Sequence, residues 1–169
     1  VNVAFIRGTS ADENGNISME REVVTLEHLA VAQAVKASGG TVIAQVERLV
    51  LNGSQPPMSI KVPGISVDYV VVASPEQHMQ TFSEAYNPAY CGETRVPLSS
   101  ISAMELSERK VIVRRAAMEL IPNAKVNLGI GMPEGVSMIA AEEGQGDVMT
   151  LTVESGPIGG VPAGGLSFG

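Results

Sequence analysis

Lys125-Val126-Asn127-Leu128-Gly129-Ile130-Gly131-Met132-Pro133, followed further on by Val148-Met149-Thr150-Leu151-Thr152-Val153-Glu154, is the stretch that decides the fold. A short β-prone run breaks into a glycine turn, and Pro133 then stands where helices favour proline, at the first helical position. Val136, Ile139 and Ala140 recur at helical spacing, Gly144 and Gly146 close the helix, and a second apolar strand follows. Strand, helix and strand make a βαβ unit, whose crossover is right-handed in almost every case, so the two strands are expected side by side and parallel. Neighbouring strands lie about 4.8 Å apart. The turn at residues 129–132 and Glu154 should therefore emerge together at the carboxyl edge, the edge where open α/β sheets place their chemistry. The helix starting near Pro133 would point backbone N–H groups at that edge, favouring a carboxylate or a developing oxyanion.

Upstream, Ser107 is a good N-cap, and Leu106 with Val111 has the spacing of a hydrophobic staple. Val113, Ala116, Ala117 and Leu120 form one apolar stripe, and Pro122-Asn123 stops that helix. Towards the amino terminus, residues 1–6 read as a strand and residues 8–16 as a hairpin or ordered loop, with Asn14-Gly15 suited to positive φ. A helix is expected to begin between Glu20 and Thr25, with acidic residues in its first turn and Val24, Val31 and Val35 on one face. Gly39-Gly40 ends it, and residues 41–46 follow as a strand. Residues 51–64 are rich in Pro, Gly, Ser and Asn and read as loop, before a short strand at 67–73. An irregular stretch then runs to about Ser100, where a boundary between two structural units is expected. The expected fold class is α/β, with open, mostly parallel sheets and flanking helices.

The composition supports layered α/β packing. Hydrophobic residues make up 44% and aromatics only 4%, without tryptophan, so Val, Ile, Leu, Ala and Met must build the core. A formal charge of −7, with no basic run longer than Arg114-Arg115, argues against a nucleic-acid partner. The single cysteine, Cys91, forms no internal disulfide, which suits the cytoplasm. No apolar stretch approaches the roughly 18–20 residues needed to span a bilayer, so no membrane partner is expected. The beginning at Val1 and the stop at Gly169 within a glycine-rich loop suggest a segment of a larger polypeptide.

A carboxylate placed as Glu154 is has three possible roles: general base, metal ligand or nucleophile. No His, Asp or second Glu lies at ligand spacing around it, so no metal is expected. Nor does a nucleophile or water-positioning group stand beside it to be activated. A nucleophilic carboxylate needs oxyanion-stabilising surroundings and open space for an acyl donor, and the flanking glycines supply signs of both. A structural carboxylate capping the loop that follows is the plainer alternative. Asp12, Asn14 and Asn16 resemble part of a calcium loop but lack its bidentate Glu, so they read as a turn. His28 reads as a packed or solvated helical side chain, and Cys91 as inert.

Val153-Glu154-Ser155-Gly156-Pro157-Ile158-Gly159-Gly160, together with Asn127-Leu128-Gly129-Ile130-Gly131-Met132-Pro133, resembles the family I coenzyme A transferases, nearest to the single-chain acetate or propionate group. Arg7-Gly8-Thr9, Asp12, Gly15-Asn16 and the run from Ser38-Gly39-Gly40 to Val46-Glu47 match the same group. The resemblance implies two similar α/β halves with the active site between them. Residues 1–90 would then be the C-terminal part of the first half, 91–105 a connector, and 106–169 the start of the second half. It also implies that Glu154 is the catalytic glutamate, attacking an acyl-CoA thioester and passing through an anhydride to a glutamyl-CoA thioester, from which an acceptor acid takes CoA. Gly129 and Gly131 become supporting candidates at the site, and Gly156, Gly159 and Gly160 candidates for contact with CoA. No permanently bound cofactor is implied; CoA and acyl-CoA are substrates, with short-chain carboxylates. The implied partners are the remainder of the enzyme and, in a homodimer or homotetramer, further copies. An acyl-CoA hydrolase on the same scaffold and a non-catalytic ligand-sensing domain are the alternatives.

Overall fold

The computed structural model describes residues 1–168, which fall into two compact units. The first comprises Val1–Gln80 and Glu84–Thr94, the second Thr81–Ser83 and Arg95–Gly169. Both are α/β, as expected.

The first unit is built on a five-stranded sheet. Its strands are β1 (Val3–Asp12), β2 (Ile17–Ser18), β3 (Thr41–Val50), β4 (Ile60–Val62) and β5 (Tyr69–Val72), in the spatial order β4-β2-β1-β3-β5. β1, β3 and β5 run parallel, while β2 pairs antiparallel with both β1 and β4. Helix α1 (His28–Ala37) crosses between β1 and β3 and buries Ala32 and Val35. The matching sheet residues, Ala4 and Ile6 on β1 with Val42, Ala44 and Val46 on β3, alternate along their strands and are buried, as the two-residue period of a strand requires.

Three expectations need correction here. β1 does not stop at residue 6 but runs on to Asp12, so the hairpin turn is confined to the residues before β2. Helix α1 begins at His28 rather than between Glu20 and Thr25, and has no acidic residue in its first turn. The acidic residues upstream serve tertiary ion pairs instead: Glu20 meets Arg48 at 2.8 Å and Glu22 meets Arg7 at 2.6 Å. Leu26, at φ 42°, breaks any helical path through that segment, which leaves Val24 outside the helix and Val31 exposed. Within the stretch 51–64, three residues escape the loop pattern and form β4.

The second unit holds α2 (Glu108–Ala117), β6 (Lys125–Leu128), α3 (Glu134–Glu142) and β7 (Thr150–Val153). β6 and β7 are parallel neighbours in a two-stranded sheet, with Leu128 opposite Val153. Ser107 caps α2 by accepting from the Lys110 N–H at 3.3 Å. The staple is not made, because Leu106 and Val111 are both exposed. Val113 and Ala117 are buried and Leu120 packs against them, while Ala116 lies outside the stripe. α2 ends at Ala117, ahead of Pro122, and Asn123 adopts φ 64° in the turn that follows. α3 buries Val136, Ile139 and Ala140 against Val113, Leu128 and Leu151. Each Val, Leu or Ile among them contributes about 1.5–3 kcal/mol on burial. Gly135 lets α2 and α3 approach closely, since a Cβ there would meet Val113 Cγ1 at 2.9 Å. Among the described residues, no helix is long and apolar enough to cross a membrane.

Candidate functional site

The pairing of Leu128 with Val153 puts the next residues of both strands, Gly129 and Glu154, side by side at the carboxyl edge. Their proximity is direct: a Cβ built on Gly129 would lie 3.3 Å from Glu154 Oε2. Any larger residue at 129 would crowd the carboxylate. Glu154 itself is exposed, and among the described residues its carboxylate has no hydrogen-bond or ion-pair partner. It is therefore not the structural cap that the plainer alternative would make it.

A tight turn holds Glu154 in place. The Gly156 N–H donates to the Val153 carbonyl at 2.9 Å, and the chain folds back so that the Val153 N–H reaches the Pro157 carbonyl and the Gly159 N–H reaches the Leu151 carbonyl at 2.7 Å. Gly156 adopts φ 117°, which L side chains rarely tolerate. Gly159 and Gly160 also have positive φ, and among the described residues open space surrounds the Cβ positions of all three. The Ser155 hydroxyl is buried in this turn without a partner among the described residues.

The turn after β6 is braced by residues that sequence reading missed. Glu134, at the start of α3, is 6% exposed and folds its carboxylate back to the Gly131 N–H at 3.3 Å. Its other oxygen accepts from Arg109 of α2 at 2.7 Å and from the Gly165 N–H at 3.3 Å. Arg109 also donates to the Gly131 carbonyl at 2.5 Å, so both polar backbone groups of Gly131 are held. The turn before α3 is thus braced by the chain's own carboxylate, while the Gly135 and Val136 N–H groups bond to the Met132 and Pro133 carbonyls. Two of the N–H groups expected to point free towards the sheet edge are therefore engaged by backbone carbonyls. The Gly131 to Glu134 spacing, in which a side chain reaches back to a backbone N–H near a helix start, was a usable signal; the partnership with Arg109 of another helix had none.

Comparison with known proteins follows this geometry. A family profile described as "Coenzyme A transferase" matches residues 1–73. Across the whole chain, the sequence is 50% identical over 170 residues to the caffeate CoA-transferase of Acetobacterium woodii. The chain belongs to the coenzyme A transferase family. It spans about a third of the length of the curated relatives it matches, 32% in that case. The acetate CoA-transferase YdiF of Escherichia coli K12 is 39% identical over 167 residues, covering 99% of this chain and 31% of the relative. Among solved coenzyme A transferases, the YdiF acyl-CoA transferase of E. coli O157:H7, in a thioester complex with CoA, superposes with a TM-score of 0.83 at 38% identity, over 96% of this chain and 30% of that one.

Proposed function

We propose that this chain serves transfer of coenzyme A between short-chain carboxylic acids of the acetate and propionate type, with Glu154 as covalent nucleophile. The observation that carries the proposal is an exposed, unpartnered carboxylate at the end of β7, beside a glycine that leaves it room, in a coenzyme A transferase family chain. In the proposed sequence, Glu154 attacks the thioester carbonyl of acyl-CoA and expels CoA thiolate, giving an acyl-glutamyl anhydride. The thiolate adds to the glutamyl carbonyl, the donor acid leaves, and a glutamyl-CoA thioester remains. An acceptor carboxylate attacks that thioester and forms a second anhydride. The released thiolate then adds to its acyl carbonyl, producing the new acyl-CoA and free Glu154. A carboxylate is a modest nucleophile, so positioning must supply much of the rate. The narrow approach at Gly129 and the locked turn at residues 153–157 provide it. Gly131 supports the site through its backbone, and Gly156, Gly159 and Gly160 leave space for the CoA arm.

Under the same proposal the two units belong to the two halves of the enzyme, the remaining sequence completes the pocket, and the whole works as a homodimer or homotetramer. Likeness to a caffeate enzyme as well as an acetate enzyme leaves the acid to experiment. The test is mass spectrometry of the full-length protein after incubation with acetyl-CoA and with caffeoyl-CoA, with borohydride trapping. CoA mass or a reduced side chain on the peptide containing Glu154 is expected. Turnover with that peptide unmodified would refute the nucleophile.

A further inference from the structure

The sheet of the first unit has a carboxyl edge of its own, and a cavity of about 290 Å³ opens there. Glu47 and Arg48 near the end of β3, Ala73 directly after β5, Arg21, His78 and Tyr86 line it. Open α/β sheets receive ligands outside the carboxyl ends of their strands, and this is such a position.

Two arginines stand in the wall. Arg21 Nη1 and Arg48 Nη1 converge on a single oxygen of Glu47, at 2.7 and 3.4 Å, and Arg48 Nη2 also reaches Glu20 at 2.8 Å. The two cations are therefore balanced by two carboxylates, Glu47 within the lining and Glu20 beside it, and what the cavity gains from them is donors rather than net charge. Each guanidinium carries several N–H donors in a fixed fork, more than these carboxylates engage among the described residues. Arg21 is held in place, its guanidinium 3.7 Å from the centroid of the Tyr86 ring. His78 is committed elsewhere. Gln45 Nε2 donates to the Gln77 carbonyl and lies 3.0 Å from His78 Nδ1, and His78 Nε2 lies 3.3 Å from Glu22 Oε1. The buried imidazole thus forms a wall, and the two arginines supply the donors.

We propose that this cavity is an oxyanion site that takes a carboxylate or phosphate group between Arg21 and Arg48, with the ligand's apolar stem against Ala73 and Tyr86. It does not depend on the role assigned to Glu154. The test is isothermal titration of the full-length protein with inorganic phosphate and, separately, with sodium acetate. Saturable binding of at least one anion is expected, weakened about tenfold or more by Arg48→Gln and less by Arg48→Lys. Ala85→Leu, which fills the cavity and keeps both arginines, should abolish it and carries the test if Arg48→Gln does not fold. Arg114→Gln on the exposed face of α2 should leave it unchanged. Binding of phosphate alone assigns a phosphate-bearing ligand, and binding of acetate alone a carboxylate. No saturable binding to the wild type, or binding lost in Glu154→Gln and retained in both Arg48→Gln and Ala85→Leu, would overturn the site.

Discussion

The Glu154 carboxylate and Gly129 stand so close that a methyl group on the glycine would sit 3.3 Å from Oε2. That contact is tight but not prohibitive, so Gly129→Ala should fold and yet push the carboxylate off its preferred position. A misplacement of about 1 Å can cost roughly a hundredfold in rate. The expected outcome is a fall in kcat of about ten- to a hundredfold, with a Tm close to that of the wild type. Unchanged kcat in the folded variant would show that the glycine does not position the nucleophile.

Replacing the carboxylate itself is the sharper intervention. Glu154 is exposed and unpartnered among the described residues, so Glu154→Gln should change stability by no more than about 0.5 kcal/mol. Loss of a covalent nucleophile typically costs roughly 10⁴–10⁶ in kcat. Chemical denaturation and steady-state kinetics on the same preparation separate the two effects, and a variant that keeps most of its turnover would eliminate covalent catalysis at this residue.

Much of the second unit was legible in the sequence because its signals are local. The four-residue strand at Lys125–Leu128, the proline at the start of α3 and the glycines after it each act within one turn of chain, and the βαβ rule then fixes the neighbourhood of β6 and β7. The beginning of α1 was not legible, because Glu20 and Glu22 look like first-turn acids until their partners Arg48 and Arg7 are known. β4 was hidden for a related reason: three residues carry almost no periodicity, and their pairing with β2 is set by tertiary structure. At the site, Glu154 and Gly129 announced themselves as edge residues of a predicted unit. The Arg109–Glu134 pair joins two helices and leaves no spacing to read.

That pair makes its own prediction. Glu134→Ala removes the acceptor for the Gly131 and Gly165 N–H groups and strands the Arg109 guanidinium, which is partly exposed and can turn to water. Gly131 is half-buried and Gly165 exposed, so water replaces part of the lost acceptor; a net hydrogen bond is worth about 1 kcal/mol, and Tm should fall by a few degrees. Because the same carboxylate fixes the turn beside Glu154, kcat should fall more than KM rises. Glu134→Gln, which retains an acceptor oxygen, should recover part of both losses. A Tm loss without any change in kcat would confine Glu134 to stability.

Acid should weaken the first unit at a definable point. Asp12 is buried at the end of β1, and its Oδ1 accepts the N–H groups of Asn14 and Asn16 at 3.0 and 2.9 Å while Oδ2 accepts Asn16 Nδ2 at 2.8 Å. Burial acts to raise its pKa, but the hydrogen bonds from Asn16 and Asn14 outweigh it and hold the carboxyl below its ordinary value. A group whose pKa is depressed by folding lends its stability in full above the unfolded value, about 3.9, and loses it as pH falls through the folded one. Urea midpoints should therefore hold steady from neutral pH to about pH 5 as far as Asp12 is concerned, then drop. Asp12→Asn should destabilise the unit by about 1–3 kcal/mol at pH 7, since its amide sets N–H against N–H at Asn16, and should flatten the acid limb. An acid limb as steep in the variant as in the wild type would show that other carboxylates, not Asp12, set the acid sensitivity.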